Sequence, residues 1–293
     1  KSTLASVRDC QAIIKKATAE SLSNKYGIEW LPEDGANYQI QFSIFKDKVT
    51  LMIDTSGEGL HKRGYRQHSN VAPLKETLAA AMVELSHWKF EYPLCDPFCG
   101  SGTFPIEAAM IAAGIAPGMN REFTAEQWTN LIDRKLWYEC VKEAEEMIHT
   151  DVKVDIQGYD IDGDVIKAAR ENAKRAGVDH LIHFQQRPVA ELHHPKKYGF
   201  IITNPPYGER LQDKSQMPQL YRTIGERFRE LDSWSMYLIT AYEQAEKDIG
   251  RKADKKRKIY RIGKVLFFHY HAIFRQRIAD LAIKCIVAGK GYS

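Results

Sequence analysis

The sequence lacks several features that would place it in familiar classes of protein. None of its five cysteines forms a C-x-x-C pair, so we expect neither a structural zinc site nor a disulfide framework, and a reducing cytoplasm fits best. No apolar run approaches the roughly 20 residues that cross a bilayer. The first residues do not have the basic and apolar regions of a signal peptide. These absences favour a cytoplasmic protein without a membrane span or a metal.

The net positive charge is small, but positive residues are concentrated in one stretch. The chain has 42 basic and 38 acidic residues, a net charge of +4. Residues 247–264 hold nine basic and two acidic residues, so this stretch carries 9 − 2 = +7 and the rest sums to 4 − 7 = −3. Such concentration suits contact with phosphates. A charge run taken alone is more often a solvated loop, so both interpretations stay open.

The 293 residues predict about two domains. Helical spacing from Cys10 to Leu22 predicts a helix that Gly27 ends, and alternating apolar residues over 38–53 predict a hairpin with one buried face. Residues 1–60 are therefore expected to be part of a small α+β unit. A basic, glycine-marked linker follows, with Arg63 and Arg66.

Residues 61–293 are expected to form a second domain. Strand and helix patterns alternate from Tyr92 onward, which predicts an α/β fold with a doubly wound, mostly parallel sheet. Residues 117–150 interrupt this alternation as an insertion, with a polar helix around Glu126 to Ile148. Ligands of such folds bind beyond the carboxyl ends of the strands.

Three strand ends carry unusual residues. The first is the turn D-P-F-C-G-S-G-T, from Asp96 to Thr103. Gly100 and Gly102 let a ligand approach the main chain. The amino terminus of the helix that this turn opens suits a carboxylate or phosphate. It is neither a P-loop nor a dinucleotide fingerprint, because G-K-[ST] is absent and Pro105 replaces the third glycine. A plain tight turn is the alternative.

The second strand end carries Asp160, which is placed to accept hydrogen bonds from the hydroxyls of a ribose. Asp162 is expected to cap the next helix instead.

The third strand end carries the turn N-P-P-Y-G, from Asn204 to Gly208. The Asn204 amide oxygen and the Pro205 carbonyl can accept from an exocyclic NH2, and Tyr207 can stack on a flat base. Together the loops predict S-adenosylmethionine as the cofactor, facing an aromatic amine.

These motifs resemble class I S-adenosylmethionine-dependent methyltransferases that modify exocyclic amines. A more specific resemblance is to bacterial THUMP-domain RNA methyltransferases related to the large-subunit rRNA guanine-N2 methyltransferase. It is carried by the string L-H-K-R-G-Y-R at 60–66, followed by A-P-L-K-E at 72–76, and P-G-M-N-R-E-F at 117–123 fits the same group. The resemblance implies a partial THUMP RNA-binding domain over 1–60, a Rossmann-like methyltransferase domain over 61–293, and ribosomal RNA as the partner.

By the same resemblance, the methionine part of the cofactor would be surrounded by Asp96, Gly100 and Gly102, the ribose would be bound by Asp160, and the target base would be held by Asn204, Pro205 and Tyr207.

Two features of the sequence depart from the pattern of this family. The family usually has an acid near Pro188 for the adenine amine, whereas here the nearest is Glu191. The segment 261–293 does not follow the family's closing hairpin and is taken as an atypical tail.

Other functions remain open at this stage. An adenine-N6 methyltransferase is the alternative enzyme, because the same four-residue platform serves either amine. A non-catalytic RNA-binding protein belongs to a different class and is favoured by the two departures. A nicotinamide oxidoreductase ranks third because its glycine fingerprint is absent.

Overall fold

A computed structural model describes residues 2–4, 6–66, 74–207, 215–261 and 263–270. It contains the following helices and strands in chain order: α1 Val7–Tyr26, β1 Gln39–Phe45, β2 Lys48–Asp54, α2 Glu76–Leu85, β3 Leu94–Asp96, α3 Thr103–Ala112, α4 Arg134–Glu146, β4 Ile156–Asp160, α5 Gly163–Arg175, β5 Ile182–Gln186, β6 Phe200–Thr203, α6 Met217–Glu230, β7 Ser235–Thr240, α7 Ala245–Ile249, β8 Lys255–Arg261 and β9 Gly263–Tyr270. None of the helices found among these residues has the length and apolar character that a membrane span requires.

The contacts divide the chain into two compact units, 1–59 with 122–142, and 60–121 with 143–293. The first unit contains α1 and the hairpin of β1 and β2. Ser6 caps α1 by accepting from the Asp9 amide, and Gly27 ends it in the left-handed conformation, as predicted. Part of the predicted insertion, 122–142, packs with this unit, and the polar helix begins at Arg134 rather than near Glu126.

The prediction that the hairpin has one buried face is wrong. The strands pair in the expected antiparallel register, but none of their residues is fully buried. Phe42 and Ile44 are half-buried, whereas Leu51 and Ile53 are mostly exposed. Alternation therefore identified the strands correctly, but α1 and residues 122–142, which share the unit with the hairpin, leave both of its faces largely uncovered.

The second unit is a seven-stranded sheet in the order β5-β4-β3-β6-β7-β9-β8, with five parallel strands and β9 antiparallel to both of its neighbours. One apolar core lies under α2, α3 and α5, and a second lies under α6 and α7. The doubly wound α/β class predicted from the sequence is confirmed. The interpretation of 261–293 as a tail needs correction, because Gly263–Tyr270 forms β9 inside the sheet; residues 271–293 lie outside the described part of the chain.

Candidate active site

The three predicted loops follow β3, β4 and β6, which are neighbours in the sheet. The chain moves from β3 outward to β4 and β5, then returns to place β6 on the other side of β3. The strand order reverses at this point, and ligands of open α/β sheets bind in the crevice that such a reversal leaves beyond the carboxyl ends. The topology therefore brings the three loops to one edge.

Asp96 connects the first loop to the third. It is fully buried at the end of β3, where its Oδ1 accepts from the Thr203 hydroxyl at 2.6 Å and from the Phe98 amide at 3.1 Å. Burial raises the pKa of Asp96 to about 7, and these two hydrogen bonds oppose the rise. Since Thr203 directly precedes Asn204, this short bond holds the start of the Asn204 turn beside the glycine turn.

Asp160 connects the second loop to the first. Its Oδ2 accepts from the Gly100 amide at 3.0 Å and its Oδ1 from the Asp162 amide at 3.1 Å. Partial burial raises the pKa of Asp160, and the backbone hydrogen bonds oppose this rise. A carboxylate has about four acceptor positions, so these backbone hydrogen bonds leave acceptor capacity for a ribose hydroxyl. Asp162 caps α5 by accepting from the Asp164 amide, as predicted.

The two glycines of the turn serve different purposes. Both have positive φ, +52° at Gly100 and +87° at Gly102. A Cβ on Gly102 would lie 3.1–3.2 Å from the side chains of Ile106, Phe184 and Ala169, so this glycine allows close packing of α3. A Cβ on Gly100 would meet no atom within 4 Å, because open space lies beside it. The space for a ligand is therefore at Gly100, next to Asp160.

The third loop is supported from α6 and β7. Asn204 and Tyr207 are half-buried and Pro205 is buried, whereas Pro206 is exposed. The Tyr221 hydroxyl donates to the Pro206 carbonyl at 3.2 Å and lies 2.5 Å from the Thr240 hydroxyl.

Tyr221 and Thr240 were not expected from the sequence, because nothing local distinguishes a tyrosine that supports a turn from one in a core.

Within the described ranges, the Asn204 side chain and the Pro205 carbonyl have no hydrogen-bond partner.

The basic linker expected around Arg63 and Arg66 is a buried ion-pair network instead. An Arg66 guanidinium nitrogen donates at 2.5 Å to the hydroxyl of Thr103, which is the first residue of α3. The same nitrogen lies 3.4 Å from the Glu76 carboxylate. Arg63 pairs with Glu107 at 3.5 Å. The Tyr65 hydroxyl also donates to Glu107, at 3.0 Å, and burial raises the pKa of Glu107. This segment therefore stabilises α2 and α3 beside the glycine turn.

The end of β5 carries a cation where the resemblance predicts an acid. The Arg187 amide donates to the Asp160 carbonyl at 2.8 Å, and the Arg187 guanidinium donates to the Gln185 side chain at 2.9 Å. The guanidinium carbon also lies 4.5 Å from the centroid of the Tyr159 ring, a cation–π contact. Gln186 donates to the Ile161 carbonyl at 2.9 Å. Glu191 is exposed in the short turn that follows.

Comparison with known proteins agrees with this geometry. Residues 63–266 match the family model described as UPF0020, RMKL-like, methyltransferase domain. The "Putative RNA methyltransferase YpsC" of Bacillus subtilis (strain 168) is 47% identical over 262 residues, which cover 89% of this chain and 68% of that protein. The Ribosomal RNA large subunit methyltransferase K/L of Shewanella baltica (strain OS195) is 39% identical over 231 residues, 77% of this chain but only 32% of that protein.

Among solved structures, SMU.472 in complex with SAH is 41% identical with a TM-score of 0.84, over 92% of this chain and 71% of that one. The doubly wound sheet and its three loops define a methyltransferase that uses S-adenosylmethionine. The chain belongs to the UPF0020 family, the RMKL-like methyltransferase domain. The open space at Gly100 and the neighbouring carboxylate of Asp160 fit this cofactor.

Proposed function

We propose that this chain transfers the methyl group of S-adenosylmethionine to the exocyclic N2 of a guanine in RNA, and that the RNA is large-subunit ribosomal RNA. The observation that carries the proposal is the pair of hydrogen bonds from Thr203 to Asp96 and from Gly100 to Asp160, which bring the three loops to one sheet edge. The names of the Bacillus and Shewanella relatives support RNA as the substrate.

The residues of the third loop suit the chemistry of an exocyclic amine. The lone pair of this nitrogen is delocalised into the ring, which makes it a poor nucleophile. The Asn204 amide oxygen and the Pro205 carbonyl accept its two hydrogens, which favours a pyramidal nitrogen and aims the lone pair at the sulfonium methyl group. The N–C bond forms as the S–C bond breaks, and the amine then releases a proton to water. Positioning and oriented dipoles supply the rate, without a nucleophilic side chain.

A paired base must leave its stack to reach this loop, whereas a base in a single-stranded loop needs no such step. Tyr207, which is half-buried, supplies a ring on which the base stacks. Within this proposal, residues 1–60 are part of a THUMP domain that binds structured RNA, and the methyltransferase domain occupies 61–293. Asp96, Gly100 and the main chain of Gly102 surround the methionine part of the cofactor, while the Cα of Gly102 packs against α3. Asp160 binds the ribose. The expected cytoplasmic location stays a prediction.

The test uses ribosomal RNA from cells that lack the protein, incubated with the full chain and cofactor labelled in its methyl group. We expect label in the large-subunit RNA and N2-methylguanosine on nucleoside analysis. N6-methyladenosine would show that the adenine alternative is right. RNA binding with neither methyl transfer nor S-adenosylmethionine binding in calorimetry would favour the non-catalytic alternative.

Substitution of Asn204 tests the mechanism. Asn204→Ala removes one of the two acceptors, so we expect a loss of kcat of about 100-fold or more, with the Kd for S-adenosylmethionine unchanged by calorimetry. Asn120→Ala is the matched control, because Asn120 is an exposed asparagine of the second unit and lies outside the three loops. Equal kcat in Asn204→Ala and the control would refute the mechanism.

A further inference from the structure

The basic stretch that follows β7 is not used by the active site. Its side chains are described as far as Arg257, and they include cations of two kinds. Lys256 forms an ion pair with Glu246 of α7, and Arg251 pairs with Asp254 at 3.2 Å. These two cations are neutralised by acidic neighbours and serve the local structure.

Four other cations of the stretch, Lys247, Lys252, Lys255 and Arg257, have no ion pair among the described residues, and the last two lie on β8. Lys255 and Arg257 are exposed on β8, and neither has an ion pair or hydrogen bond within the part of the chain that the structure describes. Successive side chains of a strand point to opposite faces. Lys255 and Arg257 therefore share the face opposite to Lys256, which faces α7. Their charge is directed away from Glu246, the carboxylate that neutralises Lys256.

The register of the sheet places Arg257 level with the third loop and Lys255 two residues earlier, level with Ile202 of β6. Thr203 pairs with Leu238 of β7, Leu238 pairs with Phe268 of β9, and Phe268 pairs with Lys256. Lys256 thus lies in the same row as Thr203, and β8 runs parallel to β6. Arg257 is one step further toward the carboxyl edge, level with Asn204. Three strand spacings of about 4.8 Å separate β8 from β6, a distance of about 14 Å.

We propose that Lys255 and Arg257 form a phosphate-binding surface for the RNA strand that carries the target base. This inference rests on the proposed function, because it takes RNA as the substrate. With the base at Asn204, a distance of about 14 Å corresponds to the phosphates of nucleotides a few positions away. Contacts of this kind position the strand without reading its sequence. The surface therefore sets affinity and orientation, and the Asn204 loop performs the chemistry.

A different role for charged residues on an outer strand is protection against pairing with a second copy of the sheet. This role requires exposed charge but no RNA. The two explanations differ in what neutral residues at these positions would change. Loss of phosphate contacts weakens RNA binding and its dependence on salt, whereas loss of edge protection causes aggregation.

The test compares the unchanged chain with the double variant Lys255→Gln and Arg257→Gln. The Kd for a labelled single-stranded RNA of about 20 nucleotides is measured over a range of salt concentrations. The loss of two phosphate contacts reduces the slope of log K against log salt by about 1.4, which corresponds to about 25-fold weaker binding at 0.1 M salt. The Kd for S-adenosylmethionine stays unchanged. The matched control is Lys153→Gln with Lys174→Gln, two exposed lysines near β4 and on α5.

An unchanged RNA affinity and salt slope in the double variant would overturn the proposal, and aggregation with unchanged affinity would assign the charges to edge protection. Methylation of ribosomal RNA is measured with the same preparations. If the unchanged chain methylates RNA and the variant binds RNA equally well, only the surface is refuted. If the unchanged chain neither binds nor methylates RNA, both the surface and the proposed function are refuted.

Discussion

Replacement of Asp96 by asparagine separates stability from cofactor binding. The Asp96 carboxyl is buried at the end of β3, and both of its hydrogen bonds, from Thr203 and Phe98, reach the same oxygen, Oδ1. An asparagine oxygen accepts both in the same place. Asp96→Asn therefore removes the ionisable group and preserves the contacts that join the first and third loops.

The size of the effect follows from the pKa of Asp96, which burial raises from 3.8 to about 7. This rise corresponds to about 4 kcal/mol, at about 1.4 kcal/mol for each pKa unit. Because the folded-state pKa is the higher one, the stability that the protonated carboxyl contributes is present below pH ~4 and is lost as the pH rises to ~7. An unpartnered asparagine NH2 costs about 1–3 kcal/mol, so the expected net gain above pH 7 is about 1–3 kcal/mol.

The assay is urea unfolding of both proteins at several pH values from roughly 5 to 8, a range that includes the titration of the buried carboxyl. The difference in free energy of unfolding should grow in favour of Asp96→Asn by about 1.4 kcal/mol per pH unit and level off near pH ~7. On the proposed placement of Asp96 beside the methionine part of the cofactor, cofactor affinity should fall at pH ~8, because the variant lacks a negative charge near a cationic ligand.

Asp155→Asn is the matched control for this prediction. Asp155 precedes β4, and its hydrogen bonds from Lys196 and Gln157 hold its pKa below the usual value even though partial burial opposes this. This carboxylate stabilises the fold above pH ~4, and its loss should therefore lower stability across the same range. A pH-independent difference between the unchanged chain and Asp96→Asn would refute the argument from burial.

Two further predictions concern the residues around the glycine turn. Gly100→Ala should weaken cofactor binding with a small loss of stability, because its Cβ enters the open space, whereas Gly102→Ala should lower the thermal midpoint because its Cβ crowds Ile106. Calorimetry measures cofactor binding by the two variants, and thermal unfolding measures their stability. The reverse pattern would contradict the different purposes assigned to the two glycines. Arg66→Ala leaves the buried Glu76 unpaired and should cost about 3–5 kcal/mol in urea unfolding, with partial recovery in the double variant Arg66→Ala, Glu76→Gln.

The elements that the sequence predicted well are those with local causes. Phe200–Thr203 is a short apolar run and forms the buried strand β6 as expected. The helix α5 begins after its capping aspartate Asp162, and α1 ends at Gly27, because these signals act within a few residues. The alternation of strands and helices also predicted the doubly wound sheet, and with it the sheet edge where the three loops meet.

Long-range contacts decided the rest. Arg66 meets Thr103 across 37 residues and Arg63 meets Glu107 across 44, so a string that reads as a basic linker becomes a buried network. The insertion of β9 between β7 and β8 depends on strand pairing, which composition does not encode. The amino-acid sequence by itself determined where the turns and caps lie, because their hydrogen bonds are local. Only the tertiary structure decided which charges are paired and which face outward, because a side chain's partner is set by packing.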